Sequence, residues 1–354
     1  MPLFMDFHQL AGVTVEAVKE AHMADISVQE KYGVKYLQFW VNEEAGTVFC
    51  LTEGPDKETC QLVHQAAHGN IACAMTEVEP GFFEALMGQA PLREDHLARN
   101  VDGTVDAGYR SIMVVSVREK MPSRKAFEPP LMSLPIANIA HYNGREIKTD
   151  VDNSFVSVFT DTNHAINCAL EIHDDLLKLH KKGPHVVFKI GISADQPVNE
   201  AGEFFGKGVK LAQRLSDAAD DNKILISSLA ARFYESGRTK KSSRVQSIDK
   251  NEEQFITTLF DLADRNLSND GFNVEFVCRN IGISRPQLYR KVTSITGRNP
   301  NNFLRDLRLE KALTLLRRNT GNVAQIAEEV GYNSPSYFSK CFAEKFGCTP
   351  SELS

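Results

Sequence analysis

The sequence predicts an α+β chain of several domains: two mixed strand–helix units in front and an all-helical unit behind. Three observations predict this. The chain has 354 residues, room for two or three domains at about 150 residues each. Short apolar strand patterns alternate with helical patterns up to residue 236, and only helical periodicity follows. The last hundred residues also contain an internal repeat, with an offset near 50.

Composition sets the outer bounds. Apolar residues make up 42% and charged residues 24%, which is ordinary for a globular chain and excludes disordered, collagen-like and disulfide-scaffold classes. No apolar run approaches the ~18 residues of a membrane helix, and Met1–His8 lacks the pattern of a secretory signal. The seven cysteines (Cys50, Cys60, Cys73, Cys168, Cys278, Cys341, Cys348) are odd in number and form no CxxC pair. Reduced thiols in a cytoplasm are therefore expected. The net charge of −6 is unevenly spread: residues 271–320 hold ten Lys/Arg and three acids, a local balance of +7. Such asymmetry points to a dedicated polyanion-binding module.

The repeat lies in this basic region. Val277 and Ile281, then Gly282, Ser284, Leu288, Arg290, Val292, Gly297 and Pro300 form the first copy. Ile326 and Val330, then Gly331, Ser334, Phe338, Lys340, Phe342, Gly347 and Pro350 form the second. Each first helix has an i, i+4 apolar stripe. Gly282 and Gly331 can adopt the left-handed conformation that stops a helix and reverses the chain. Ser284 and Ser334 are N-caps for the next helix, and Pro335 opens its first turn. Arg285, Gln287, Arg290 and Lys291, and likewise Ser336, Ser339 and Lys340, are left on or near the outside. This is a helix-turn-helix written twice, and a basic, N-capped second helix suits a DNA major groove. Residues 301–316 read as one long connecting helix of roughly 24 Å.

Arg308-Leu309, Ala312, Leu315-Leu316, Ile326-Ala327, Val330-Gly331-Tyr332, Ser334, Ser336-Tyr337-Phe338, Phe342, Phe346-Gly347 and Thr349-Pro350-Ser351 carry a family resemblance. With them, residues 251–354 resemble the DNA-binding domain of the AraC/XylS transcription regulators. The resemblance implies sequence-specific binding to double-stranded DNA, usually as a dimer, with RNA polymerase a further partner. By position, Arg285, Gln287, Arg290, Ser336 and Lys340 would reach bases. Lys291, Arg298 and Arg308 would contact phosphates.

Residues 1–80 read as strand Leu3–His8, helix Thr14–Tyr32, strands Val34–Val41 and Thr47–Leu51, helix Lys57–Ala67 and strand Ile71–Met75. The order βαββαβ is ferredoxin-like. Met5-Asp6, His8, Val13-Thr14, His22, Asp25, Lys31-Tyr32-Gly33, Trp40, Phe49-Cys50-Leu51, His64 and His68 make it similar to small bacterial ferredoxin-like proteins with a nickel-binding member. His64 and His68 are i, i+4 on one helix face, and His22 and Asp25 are i, i+3. With His8 and Cys50 on strands, these donors suit a divalent transition metal such as nickel.

Residues 107–236 alternate strands and helices again. Lys189-Ile190-Gly191-Ile192, Pro197-Val198, Phe205-Gly206, Val209, Leu211-Ala212, Arg214-Leu215 and Ile224–Ser227 resemble the class III nucleotidyl cyclase domain. That resemblance implies a cyclase-like α/β fold and two metal-binding Asp positions. Asp152 matches one, but Ser116 stands at the other. Arg214 matches a transition-state residue, while Lys210 replaces the expected Asn. Losing a metal carboxylate removes charge stabilisation on which phosphoryl chemistry depends. The expectation is therefore a pseudo-cyclase without catalytic residues, in which Asp152, Lys210 and Arg214 face a nucleotide effector. Glu79–Asp106 reads as irregular, and residues 237–250 as a basic, Ser-rich linker.

The combined reading is a cytoplasmic, homodimeric, DNA-binding transcription regulator with no membrane partner. Its front domains sense a nucleotide or a metal, or serve dimerisation. The alternative is a nucleotide cyclase or metal-binding protein tethered to DNA.

Overall fold

A computed structural model describes residues 1–88, 93–119, 129–147, 154–182, 186–235 and 244–353. The first unit runs β1 (Leu3–Gln9), α1 (Val15–Val28), β2 (Lys35–Asn42), β3 (Thr47–Glu53), α2 (Lys57–Ala67) and β4 (Ala74–Val78). Thr14 and Asp56 cap the two helices through their side chains, supplying acceptors for N–H groups that no helical turn can satisfy. The sheet is antiparallel, in the order β2-β3-β1-β4. The last strand starts three residues later than expected, at Ala74. Glu79–Asp106 is not wholly irregular: α3 (Pro80–Met87) opens on a proline and buries Phe83, Leu86 and Met87.

The second unit runs β5 (Arg110–Glu119), α4 (Pro129–His141), β6 (Arg145–Ile147), β7 (Ser154–Phe159), α5 (Thr162–Lys182), β8 (Val186–Asp195), α6 (Gly206–Ala218), β9 (Lys223–Ile226), α7 (Ser228–Glu235) and β10 (Val245–Ser247). Its sheet order is β10-β9-β8-β5-β7-β6. The four strands β6-β7-β5-β8 thus repeat the winding of the first sheet. β10 pairs with β9 in parallel, so part of the stretch expected as linker is the sheet's edge strand; residues 237–243 lie outside the described residues.

The two sheets pack face to face. Met5, Phe7, Trp40, Phe49 and Leu51 from the first share one core with Ile112, Val114, Val156 and Val158 from the second. Helices α1 and α2 cover the outer face of the first sheet, and α5 and α7 that of the second. α6 lies directly on β8 at Gly191, where a Cβ would stand 2.2 Å from the Ala212 carbonyl oxygen and 2.3 Å from the Ser216 nitrogen. Only glycine permits that approach.

The third unit is helical: α8 (Lys250–Asn266), α9 (Val274–Ile281), α10 (Arg285–Thr296), α11 (Pro300–Arg317), α12 (Val323–Glu329) and α13 (Pro335–Phe346). Gly282 and Gly331 have φ of +76° and +80°. Ser284 and Ser334 accept from Gln287 N–H and Tyr337 N–H. This unit is packed on the second one. Leu215, Ala218, Ala219, Leu225 and Ile248 share a continuous core with Phe255, Ile256, Leu259 and Phe260 of α8. Among the described residues, no helix is long and apolar enough to cross a membrane.

Candidate functional sites

Two places gather the candidate residues: a cavity under α1 and α2, and the outer faces of α10 and α13. In β1 the strand alternation sends Met5 and Phe7 to the inter-sheet core. Phe4 and, by the same alternation, Asp6 and His8 go to the helix side. There they meet Asp25 from α1 and His64 from α2. His8, His22, Asp25, Cys50, His64 and His68 all line one cavity of about 110 Å³. His64 is the hub: its Nε2 lies 2.9 Å from Asp6 Oδ2 and its Nδ1 3.2 Å from Asp25. His8 Nε2 lies 3.5 Å from Asp6, and His68 Nε2 3.2 Å from Asp25. Two donor triads result, Asp6–His8–His64 and Asp25–His64–His68, sharing one imidazole.

The electrostatics follow from this crowding. Burial works against charge on His64, but hydrogen bonds to Asp25 and Asp6 overcome it and push the imidazole up to about 10. Burial would likewise raise Asp6; the charge of His8 and the hydrogen bonds from His64 and His8 hold it well below the usual carboxylate range. Burial, with the nearby charge of His96, lowers His22 to about 4, so its ring is neutral at neutral pH. Burial pushes the Cys50 thiol well up; its backbone N–H donates to Asp6. His22 Nδ1 is buried with no hydrogen-bond partner. Carboxylates, neutral imidazole and an orphaned ring nitrogen around one small cavity fit a borderline transition ion. Asp6 and His96 were not among the sequence candidates. His96 stands 3.2 Å from His22, brought in by the segment that crosses from the first unit to the second. Asp6 had a signal: it sits two residues before His8, on the same strand face.

On the helical unit, Arg285, Gln287, Arg290, Ser336 and Lys340 are exposed, and Lys291 and Ser339 are partly so. Arg285 pairs with Glu275 at 3.1 Å. Gln287 accepts from the Ser284 N–H, closing a capping box. Arg298 and Arg308, expected at phosphates, are turned inward instead. Arg298 donates to the carbonyls of Asp217, Ala218 and Ala219 at the end of α6 and to Asp306. The last four carbonyls of a helix have no partner within it, and a guanidinium fork satisfies several at once. Arg308 bridges the two halves of the helical unit, donating to Gly331 O at 2.6 Å, Asn269 O at 2.9 Å and Phe272 O at 3.0 Å.

Lys210 and Arg214 do not face an open phosphate site either. Lys210 pairs with Asp261 at 3.2 Å, and Arg214, buried, pairs with Asp261 and Asp264 and donates to Thr257 O. All three partner residues belong to α8, so the helical unit covers Arg214 and pairs Lys210, whose side chain stays exposed. Ser116 Oγ is 3.0 Å from Ser216 Oγ and 3.3 Å from Ser154 Oγ; Asp152 lies outside the described residues.

Comparison with known proteins agrees with the two end units. Residues 277–354 match the model of a helix-turn-helix domain family, and residues 4–78 match that of the nickel responsive protein SCO4226-like family. A 114-residue stretch is 39% identical to histidine kinase P4 of Formosa agariphila, covering 32% of this chain and 8% of that one. Over 97 residues the chain is 33% identical to the HTH-type transcriptional activator RhaR of Mannheimia succiniciproducens, covering 27% and 35%. The chain therefore spans only a part of these curated relatives. The crystal structure of SCO4226 from Streptomyces coelicolor A3(2) is 39% identical over 22% of this chain and 94% of that one, with a TM-score of 0.21. The catalytic core of a rhodopsin-guanylyl cyclase matches 36% of this chain and 81% of that one, at 14% identity and a TM-score of 0.30. Residues 277–354 are thus a helix-turn-helix domain of the AraC type, and residues 4–78 a domain of the nickel-responsive SCO4226-like family.

Proposed function

We propose that this protein is a cytoplasmic, homodimeric transcription regulator that binds double-stranded DNA through α10 and α13 and senses a divalent transition metal in its first unit. The observation that carries the reading is the doubled motif. Two N-capped helices, each following a left-handed glycine turn, leave Arg285, Arg290 and Lys340 exposed. That is the chemistry of base readout in a major groove. Similarity to a transcriptional activator over the same region supports it. RNA polymerase is a further partner on this reading. With Arg298 and Arg308 engaged internally, phosphate contacts fall to Lys291 and neighbouring exposed cations.

In the first unit, His8, His64, His68, Asp6 and Asp25 would hold the metal, with His22 beside them. A bound ion would supply positive charge in place of the proton on His64, so binding releases protons. The middle unit acts as scaffold and relay rather than as a cyclase: Ser116 offers no carboxylate, and Lys210 and Arg214 are spent on α8. An effector works only through different affinity for two states; the states here are arrangements of the helical unit on the middle one.

The test is selection of bound sequences from a random DNA pool at about 0.1 M salt, with and without Ni²⁺. A recovered motif of paired half-sites, enriched differently with metal, is the expected result. Recovery of no preferred sequence would overturn the DNA assignment. A motif unaffected by any transition metal would overturn the sensing part. A cyclic nucleotide formed from ATP or GTP with Mn²⁺ would reinstate the enzyme reading.

A further inference from the structure

An open cleft of about 400 Å³ separates the middle sheet from α11. On the sheet side it is lined by Ser116 and Arg118 of β5, Ser154 of β7 and Lys189 of β8; on the helical side by Glu310 of α11. Arg118 and Lys189 are largely buried, with side chains 17% and 11% exposed. Lys189 has only a distant carboxylate partner among the described residues, Asp221 at 3.9 Å, and donates to the Asp217 carbonyl at 3.4 Å. Arg118 approaches Glu310 at 3.6 Å and Asp221 at 3.5 Å. Glu310 also takes Lys345 of α13 at 3.0 Å. The Arg118 guanidinium lies 5.8 Å from the centre of the Phe346 ring, at the end of α13. One carboxylate of the helical unit therefore reaches the cationic wall of the middle unit, and that wall touches the second helix-turn-helix.

Two weakly paired cations with two hydroxyl groups make a donor set for a multiply charged oxyanion. Glu310 brings one negative charge to it. Asp217 also lines the cleft, with its carboxylate engaged by Gln213, and Asp306 is neutralised by Arg298 and Lys345.

We propose that Arg118, Lys189, Ser116 and Ser154 form a binding site for the phosphate chain of a small oligophosphate, and that Glu310 occupies this site as an internal substitute. An oligophosphate carries more charge than one carboxylate and competes with Glu310 for Arg118. Its entry loosens the contact that ties α11 and α13 to the middle sheet. This deepens the reading of the front units as control elements, yet its test needs no DNA, so the two stand or fall separately.

The experiment is calorimetric titration of the full chain with sodium tripolyphosphate and, in a parallel arm, with ATP, at fixed ionic strength. The variants are Glu310→Gln, which keeps shape and removes the competing charge, and Lys189→Met and Arg118→Gln, which keep the buried stems. Circular dichroism melts confirm folding; Arg118→Gln serves if Lys189→Met does not fold. Glu310→Gln should bind at least fivefold more tightly than wild type, and removal of Lys189 or Arg118 should weaken binding at least tenfold. Equal affinity for both ligands identifies the phosphate chain alone as the recognised group; tighter ATP binding with the same response to the variants places a nucleoside on it. No binding to the folded Glu310→Gln protein, or affinity that ignores all three substitutions, would overturn the proposal.

Discussion

The first two units wind four strands in the same order and bury opposite chemistries beneath their helices. Along β1, the residues turned to α1 and α2 include Asp6 and His8; along the equivalent strand β5, Met113, Val115 and Val117 face α5 and its neighbours. The topology is common to both and tells nothing of function. What differs is which side chains the strand alternation places on one face. An apolar face makes a scaffold. A face with carboxylates and imidazoles around a small cavity makes a ligand site, and in the metal-free state it must neutralise itself, through His64 between two acids.

Substitutions in the two units should differ in size of effect and in response to metal. The largest is His64→Ala in metal-free protein, which leaves Asp6 and Asp25 buried without their shared partner. Loss of one member of a buried charged group costs about 3–5 kcal/mol. Urea unfolding at pH 7 measures it, and a loss no larger than that of an exposed substitution would deny His64 its central place. In the second unit, Ile166→Ala removes a fully buried side chain from the apolar face and should cost about 2–5 kcal/mol. That loss should be indifferent to added Ni²⁺, whereas the loss in the first unit should change with it. Outside both sheets, Arg285→Ala should leave unfolding unchanged and cost about 1–3 kcal/mol of DNA affinity at one base position. A uniform loss across all sequences would make Arg285 a phosphate contact instead.

The smallest effect depends on pH. Burial raises the Asp217 carboxyl to about 6, against the pull of Lys189. A carboxyl raised in the folded state stabilises fully below its unfolded value, near 4, and loses that contribution as pH rises through 6. Wild type should therefore lose roughly 1 kcal/mol relative to Asp217→Asn between pH 4 and 6, the position at the rim of an open cleft reducing the full linkage value. Parallel stability curves for the two proteins would contradict the assignment. In the first unit the sign is reversed: His8 and His64 hold Asp6 low against burial, so its contribution is lost as pH falls.

The helical repeat was legible because every signal in it is local: Gly282 and Gly331 at the turns, Ser284 and Ser334 at the caps, apolar positions in step with each helix. Four residues of the cavity were legible for a similar reason, since spacing places His64 with His68 and His22 with Asp25 on helix faces. What could not be read were roles that depend on packing against a neighbouring unit or a distant helix. Lys210, Arg214, Arg298 and Arg308 have the same character in sequence as any exposed cation. Only packing of α8 on α6, and of α11 on α12, turns them onto Asp261, the α6 carbonyls and Gly331. β10 escaped notice because three residues of an edge strand carry no periodicity. His96 escaped because its partner His22 lies 74 positions away.

The central claim, that the first sheet is the metal-responsive site and the second is not, is tested most directly by calorimetric titration of Ni²⁺ into the full chain and into the His64→Ala/His68→Ala variant. The account predicts saturable binding at one ion per chain with proton release, abolished in the double variant. Binding of undiminished affinity and stoichiometry in that variant would contradict it.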